Sequence, residues 1–196
     1  MMSRTHITVG AAAALAFSPI TGIDSCVLAL AAGAVGGVIP DVDIFDKAHK
    51  KDAFLVGLLS FGILFGGLIY YFRNNLLISD VMRNLAIFGT FCFDALFVMG
   101  FISEHRHFTH SLLAMLLFSV CVSLIYKPLV IPFAIGYISH LALDMLNRKG
   151  MQLFFPYKKG FCLRFCYADK LANKVLMIVG FIVAIALFAY HLTRFF

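Results

Sequence analysis

Apolar runs long enough to cross a bilayer constrain this chain more than any other feature. A helix needs about 20 apolar residues to span the hydrocarbon core, and residues 53–72, 84–102 and 171–192 each supply such a run. Residues 110–126 and 129–145 are shorter but still read as crossing, with Lys127-Pro128 between them. Nearer the N-terminus, 8–17 and 25–39 are apolar pieces joined by Ser18-Pro19-Ile20-Thr21-Gly22, a turn-forming stretch. Neither is long, so they read as a short helical hairpin that need not cross fully. Composition agrees: 62% of residues are hydrophobic and 13% charged, against about 45–50% and about 25% in soluble domains. Those values exclude a cytosolic enzyme, a disordered tail and a nucleic-acid module. The expected fold is an all-α polytopic membrane bundle of six to seven helical segments, forming one domain over residues 1–196.

Seven segments divide the loops into two sets. The N-terminus, 40–52, 103–109 and 147–170 share one side, and 18–24, 73–83, 127–128 and the C-terminus share the other. Twelve Lys and Arg fall on the first side and four on the second, so the positive-inside rule places the first in the cytoplasm. The net charge of +6 then reports orientation and contact with anionic lipid headgroups rather than a nucleic-acid partner. Five scattered cysteines imply no disulfide framework.

The His, Asp and Glu residues gather on that same side. His6 starts the first segment, and Asp41 and Asp43 follow Pro40, which is expected to stop the second helix and leave both carboxylates in irregular backbone. Glu104, His105, His107 and His110 lie between the fourth and fifth segments, and Thr109 is the expected N-cap of the fifth. His140 and Asp144 lie i,i+4 near the end of the sixth, on one helix face. Five of seven histidines thus meet at one membrane face, with His49 nearby and His191 at the other.

Each cluster has two readings. His140 and Asp144 either ligate an ion or lock two helices through a buried hydrogen bond. Asp41 and Asp43 are either ligands or the head of an acidic loop running on to Asp46 and Asp52. The histidine-rich stretch either converges on a cation, with Arg106 free to clamp a phosphate, or is an interfacial loop. Taken together the donors are nitrogen and oxygen without thiolate, a set suited to Zn²⁺, Mn²⁺ or Fe²⁺. Either two ions bind, or one ion binds and some residues support its ligands.

Four ordered motifs carry a family resemblance: Thr5-His6; Pro40-Asp41-Val42-Asp43; His105-Arg106-His107-Phe108-Thr109-His110-Ser111; and Gly136 through Leu146, with Gly150 to Pro156 following. The chain resembles the YdjM-like family of bacterial membrane-bound metal-dependent hydrolases over residues 5–156, and the final helix is generic. The resemblance implies metal ligation by His6, Asp41, Asp43, His105, His110, His140 and Asp144, and a likeness to zinc-dependent phospholipases C. Glu104 stands where the family pattern has glycine, and it is either a general base or an exposed loop residue.

The expectation is therefore a multi-pass protein of a bacterial inner membrane with its site on the cytoplasmic side. It would use one or two divalent ions, zinc first, to hydrolyse a phosphoester of a membrane lipid, a phospholipid or polyprenyl phosphate. Asp43 would bridge metals or act as base, and Arg106 would neutralise developing phosphate charge. The alternative is a proton- or metal-coupled transporter, which requires polar groups through the bilayer thickness. Only Asp94, midway along the fourth segment, fits that requirement, and an acid at that depth is expected to face the bundle interior or be protonated. Gly33/Gly37 and Gly62/Gly66 are spacings that allow close helix approach, and Cys162/Cys166 alone are poor evidence for a metal.

Overall fold

A computed structural model describes residues 2–43, 80–165 and 171–196. The expected span 53–72, Gly62/Gly66, His49, Asp46, Asp52 and Cys166 lie outside the described residues. Within them the chain is all-helical: α1 (Ser3–Phe17), α2 (Ile23–Val38), α3 (Asp80–Ile102), α4 (Leu112–Ile125), α5 (Val130–Met145) and α6 (Leu171–Phe195). No strand forms among the described residues, where Met151 and Phe161 pair in an isolated antiparallel bridge.

Four of these stretches are long and apolar enough to cross a membrane: Ile23–Asp43, Asp80–Ile102, Lys127–Met145 and Leu171–Phe195. The N-terminal pair is a hairpin, as its turn residues predict. Its second arm reaches 21 residues because Pro40 does not end it in irregular backbone. Instead the chain tightens at Ile39 into a 3₁₀ turn through Asp43, where the missing proline N–H disrupts the α pattern without a sharp break. The 110–126 segment is shorter than expected. Its helix has 14 residues because Ser111, not Thr109, caps it, accepting from the Ala114 N–H at 3.1 Å. At 1.5 Å per residue that helix covers roughly 21 Å, less than the hydrocarbon core of about 30 Å.

Helix α1 packs against α2, α5 and α6, α2 against α5, and α3 against α4. Aromatic rings fill the space where α3, α4 and α5 meet: Phe93 stands edge-on to Phe118 with centroids 5.0 Å apart, and Phe133 and Tyr137 complete the cluster. Helices α1 and α6 run parallel. Asn173 Oδ1 accepts from Thr5 Oγ1 at 2.9 Å at one end, and His191 Nε2 meets the Leu15 carbonyl at 3.1 Å at the other.

Glycine brings α2 against its neighbours. A Cβ on Gly37 would strike the His6 carbonyl and lie 3.3 Å from the Gly10 Cα, and one on Gly136 would fall 2.9 Å from the Gly33 Cα. The Gly33/Gly37 spacing therefore serves packing within the bundle, as its small residues predict. It also sets His6 on α1 beside the end of α2. Gly37→Ala is expected to destabilise the protein by about 1–3 kcal/mol, lowering Tm by about 2–12 °C. Gly22→Ala is the control, since a Cβ there meets nothing within 4 Å. Thermal unfolding in detergent reads both, and equal melting of the two variants would refute the close-approach account.

Candidate metal centre

The start of α1, the 3₁₀ turn after α2, the loop between α3 and α4, and the last turns of α5 all meet at one end of the bundle. His6, Asp41, Asp43, His110, His140 and Asp144 are all buried there. Polar side chains in such a setting are stable only when each finds a partner or an ion.

Asp43 is the best satisfied. Its Oδ1 meets His105 Nδ1 at 2.7 Å, and its Oδ2 accepts from the Arg106 N–H at 3.0 Å and from Thr109 Oγ1 at 2.8 Å. His110 Nδ1 lies 3.1 Å from the same Oδ2. Asp41 is steered by Ser3, whose hydroxyl donates to Oδ2 at 2.7 Å. That leaves Asp41 Oδ1 at 3.9 Å from His110 Nε2 and 3.7 Å from His140 Nε2.

His140 Nδ1 lies 2.8 Å from the Gly37 carbonyl. A carbonyl only accepts, so Nδ1 carries the hydrogen and Nε2 is left with a lone pair when the ring is neutral. That Nε2 stands 3.2 Å from His110 Nε2, which is also 3.5 Å from Asp144 Oδ2. Two imidazole nitrogens and two carboxylates thus aim at one spot, and only positive charge stabilises that arrangement: a proton on one ring or a cation between them. The pKa of His110 reflects the demand. Burial pushes it down, but the Asp43 carboxylate, followed by Asp144, overrides burial and lifts it to about 10.

The spacing suits an ion as well as a proton. Nitrogen ligands at about 2.0–2.1 Å from a tetrahedral zinc lie about 3.3–3.4 Å apart, close to the observed 3.2 Å. His6 gives a second sign. Its ring stacks on His140 with centroids 3.7 Å apart, and both its nitrogens are buried with no hydrogen bond among the described residues. Its Nε2 is 3.3 Å from Asp144 Oδ1. Three overlapping groups have ligand atoms near enough to hold an ion: His6, His140 and Asp144; Asp41, His110 and His140; Asp43, His105 and His110.

All seven residues that the resemblance implies as ligands therefore come together. Two other acids that the sequence singles out, Glu104 and Asp94, do not join them. Glu104 is exposed and pairs with His107 at 3.3 Å, outside the buried cluster. Asp94 faces outward from α3, exposed among the described residues rather than turned to the bundle interior. Arg106 is not free for a phosphate: its side chain is 9% exposed and its Nη2 sits 3.4 Å from Asp144 Oδ2. The supporting roles of three residues are not legible in the sequence. Ser3 holds Asp41, Thr109 binds Asp43 rather than capping α4, and the Tyr137 hydroxyl donates to the Thr109 carbonyl. A local signal existed for two of them, since Ser3 and Tyr137 lie one helical turn before His6 and His140 on the same faces.

Fold and site together define a helical membrane protein with a buried His/Asp cluster able to hold a metal ion. Comparison with known proteins agrees with that class. The family model described as "YdjM inner membrane protein" matches residues 1–195, and the chain belongs to that family. It is also 30% identical over 158 residues to an uncharacterized protein of Bacillus subtilis (strain 168), YvsG, covering 80% of this chain and 74% of that one. No solved structure matches the chain.

Proposed function

We propose that this protein is a membrane-embedded, metal-dependent hydrolase that cleaves a phosphoester of a lipid at the cytoplasmic boundary of the inner membrane. The observation supporting this reading is the convergence of His110 Nε2, His140 Nε2, Asp41 and Asp144 on one buried point at the end of the bundle. His6, His105 and Asp43 supply further donors for a second ion or for support of the first. A divalent cation, zinc first by donor type, supplies Lewis-acid polarisation of a phosphoryl oxygen and brings a water's pKa toward about 7.

The chain's own groups do the rest. Asp43, holding His105 and Thr109 and facing His110, keeps the histidine loop in place. The His140–Gly37 hydrogen bond fixes the ring so that Nε2 points into the site. His105, with 41% of its side chain exposed, marks where the cluster reaches the surface. Arg148, Lys149, Lys158 and Lys159 are exposed in the segment following α5, and such charges attract anionic headgroups. Phosphoester cleavage is favoured over acyl-ester cleavage because no Gly-x-Ser-x-Gly elbow is present.

Metal analysis of the detergent-purified protein, followed by turnover of a phospholipid and a polyprenyl phosphate before and after chelation, tests the reading. The expected result is bound divalent metal and chelator-sensitive release of phosphate or phosphorylated headgroup. Ion flux in proteoliposomes that is lost in Asp94→Ala, with no turnover, would favour transport instead. Orientation is tested separately. The twelve-to-four charge asymmetry predicts a C-terminus outside the cytoplasm, so an alkaline phosphatase fusion after Phe196 should be active and a fluorescent-protein fusion dark.

A further inference from the structure

We infer that Arg106 is a positioning residue of the metal centre: one side chain that orients Asp144, reaches Asp43 through its own backbone and seats the segment after α5 against both. This inference rests on the metal-centre reading above. Arg106 has φ of 69°, in the left-handed region that non-glycine residues seldom occupy. Such a conformation persists where surrounding contacts over-determine it. Here the contacts are all on one residue. The Arg106 N–H donates to Asp43 Oδ2 at 3.0 Å, and its carbonyl accepts from the Gln152 N–H at 2.9 Å. Nη1 donates to the Lys149 carbonyl at 2.5 Å, Nε to His105 Nε2 at 3.4 Å, and Nη2 lies 3.4 Å from Asp144 Oδ2.

Asp144 thereby acquires a defined plane. One oxygen faces His6 Nε2 at 3.3 Å, and the other is shared between His110 Nε2 at 3.5 Å and the guanidinium. Ligand carboxylates are commonly oriented by outer partners in this way. Charge points the same way: Asp41, Asp43 and Asp144 are three buried carboxylates, and a guanidinium beside them supplies an opposite charge in a planar fork. A lysine ammonium is a single point charge and does not reproduce the fork that spans Asp144 and the Lys149 carbonyl. With all three of its nitrogens directed at protein groups, Arg106 acts on the ligands rather than on a substrate phosphate.

Cobalt(II) titration of the full-length protein, followed by its visible ligand-field bands, tests this without recourse to activity. Arg106→Gly is the informative variant, because glycine adopts a positive φ without steric penalty while the guanidinium is lost. The expected result is a folded protein that binds Co²⁺ about 10–100-fold more weakly with altered bands, and Arg106→Lys falling between it and the wild type. Wild-type affinity and spectrum in Arg106→Gly would overturn the assignment. So would lost turnover with unchanged Co²⁺ binding, which would move Arg106 to the substrate phosphate. If Arg106→Gly does not accumulate, Arg106→Gln, neutral and of similar reach, answers the same question by the same criterion. A wild-type protein that binds no Co²⁺ would sink the metal centre itself, a result distinct from a wild type that binds and an Arg106 variant that binds equally.

Discussion

On the proposed metal-centre reading, His140→Ala should leave the protein without bound divalent metal and reduce chelator-sensitive turnover by well over 100-fold. His140 occupies the middle of the cluster. Its Nε2 is 3.2 Å from His110 Nε2 and 3.7 Å from Asp41 Oδ1, its ring stacks on His6, and its Nδ1 is anchored to Gly37. It also belongs to two of the three groups able to hold an ion. Removing an outer partner of a metal typically costs 10–100-fold in affinity or activity, and deleting a central donor should exceed that. His107→Ala is the matched control, because that imidazole pairs with exposed Glu104 outside the cluster. Metal content by elemental analysis and turnover of the same preparation read both variants. Equal metal in His140→Ala and wild type would refute the site, and equal loss in His107→Ala would place it elsewhere.

Asp43→Asn should destabilise the protein more than Thr109→Val, although both changes are isosteric. The carboxylate of Asp43 is fully buried and receives the Arg106 N–H, the Thr109 hydroxyl and the His105 ring, with His110 3.1 Å away. A carboxamide turns one of those acceptor positions into a donor facing donors. Removing one partner of a buried charge network costs about 3–5 kcal/mol, or roughly 6–20 °C in Tm at about 2–4 °C per kcal/mol. Thr109→Val removes a single donor and should cost only about 1–3 kcal/mol, the penalty of an unmet buried bond. The ordering, with Asp43→Asn below Thr109→Val below wild type in thermal unfolding of metal-free protein, is the checkable result. A Thr109→Val melt as low as that of Asp43→Asn would mean that the hydroxyl, not the charge, organises the loop.

Local properties of the chain carry the class and the cast. Run lengths of apolar residues are local properties, so the helices at 84–102, 129–145 and 171–192 were legible to within a few residues of Asp80–Ile102, Val130–Met145 and Leu171–Phe195. A His or Asp at the end of an apolar run is conspicuous because burying it is unfavourable without a partner, and every member of the buried cluster stood out on that ground. Boundaries set by a single hydrogen bond were not legible: Thr109 and Ser111 are both able N-caps, and only the packed loop commits Thr109 to Asp43 and leaves Ser111 to Ala114. Which donor faces which follows from the packing of the helices. Asp43 meets His105 across 62 residues and His140 meets Gly37 across 103, and the second pairing depends on how closely α2 and α5 approach at Gly36 and Gly136. The direction of Arg106 was likewise beyond the sequence. A left-handed backbone at that one residue turns its guanidinium inward to Asp144, and no local pattern encodes a conformation that only surrounding contacts stabilise.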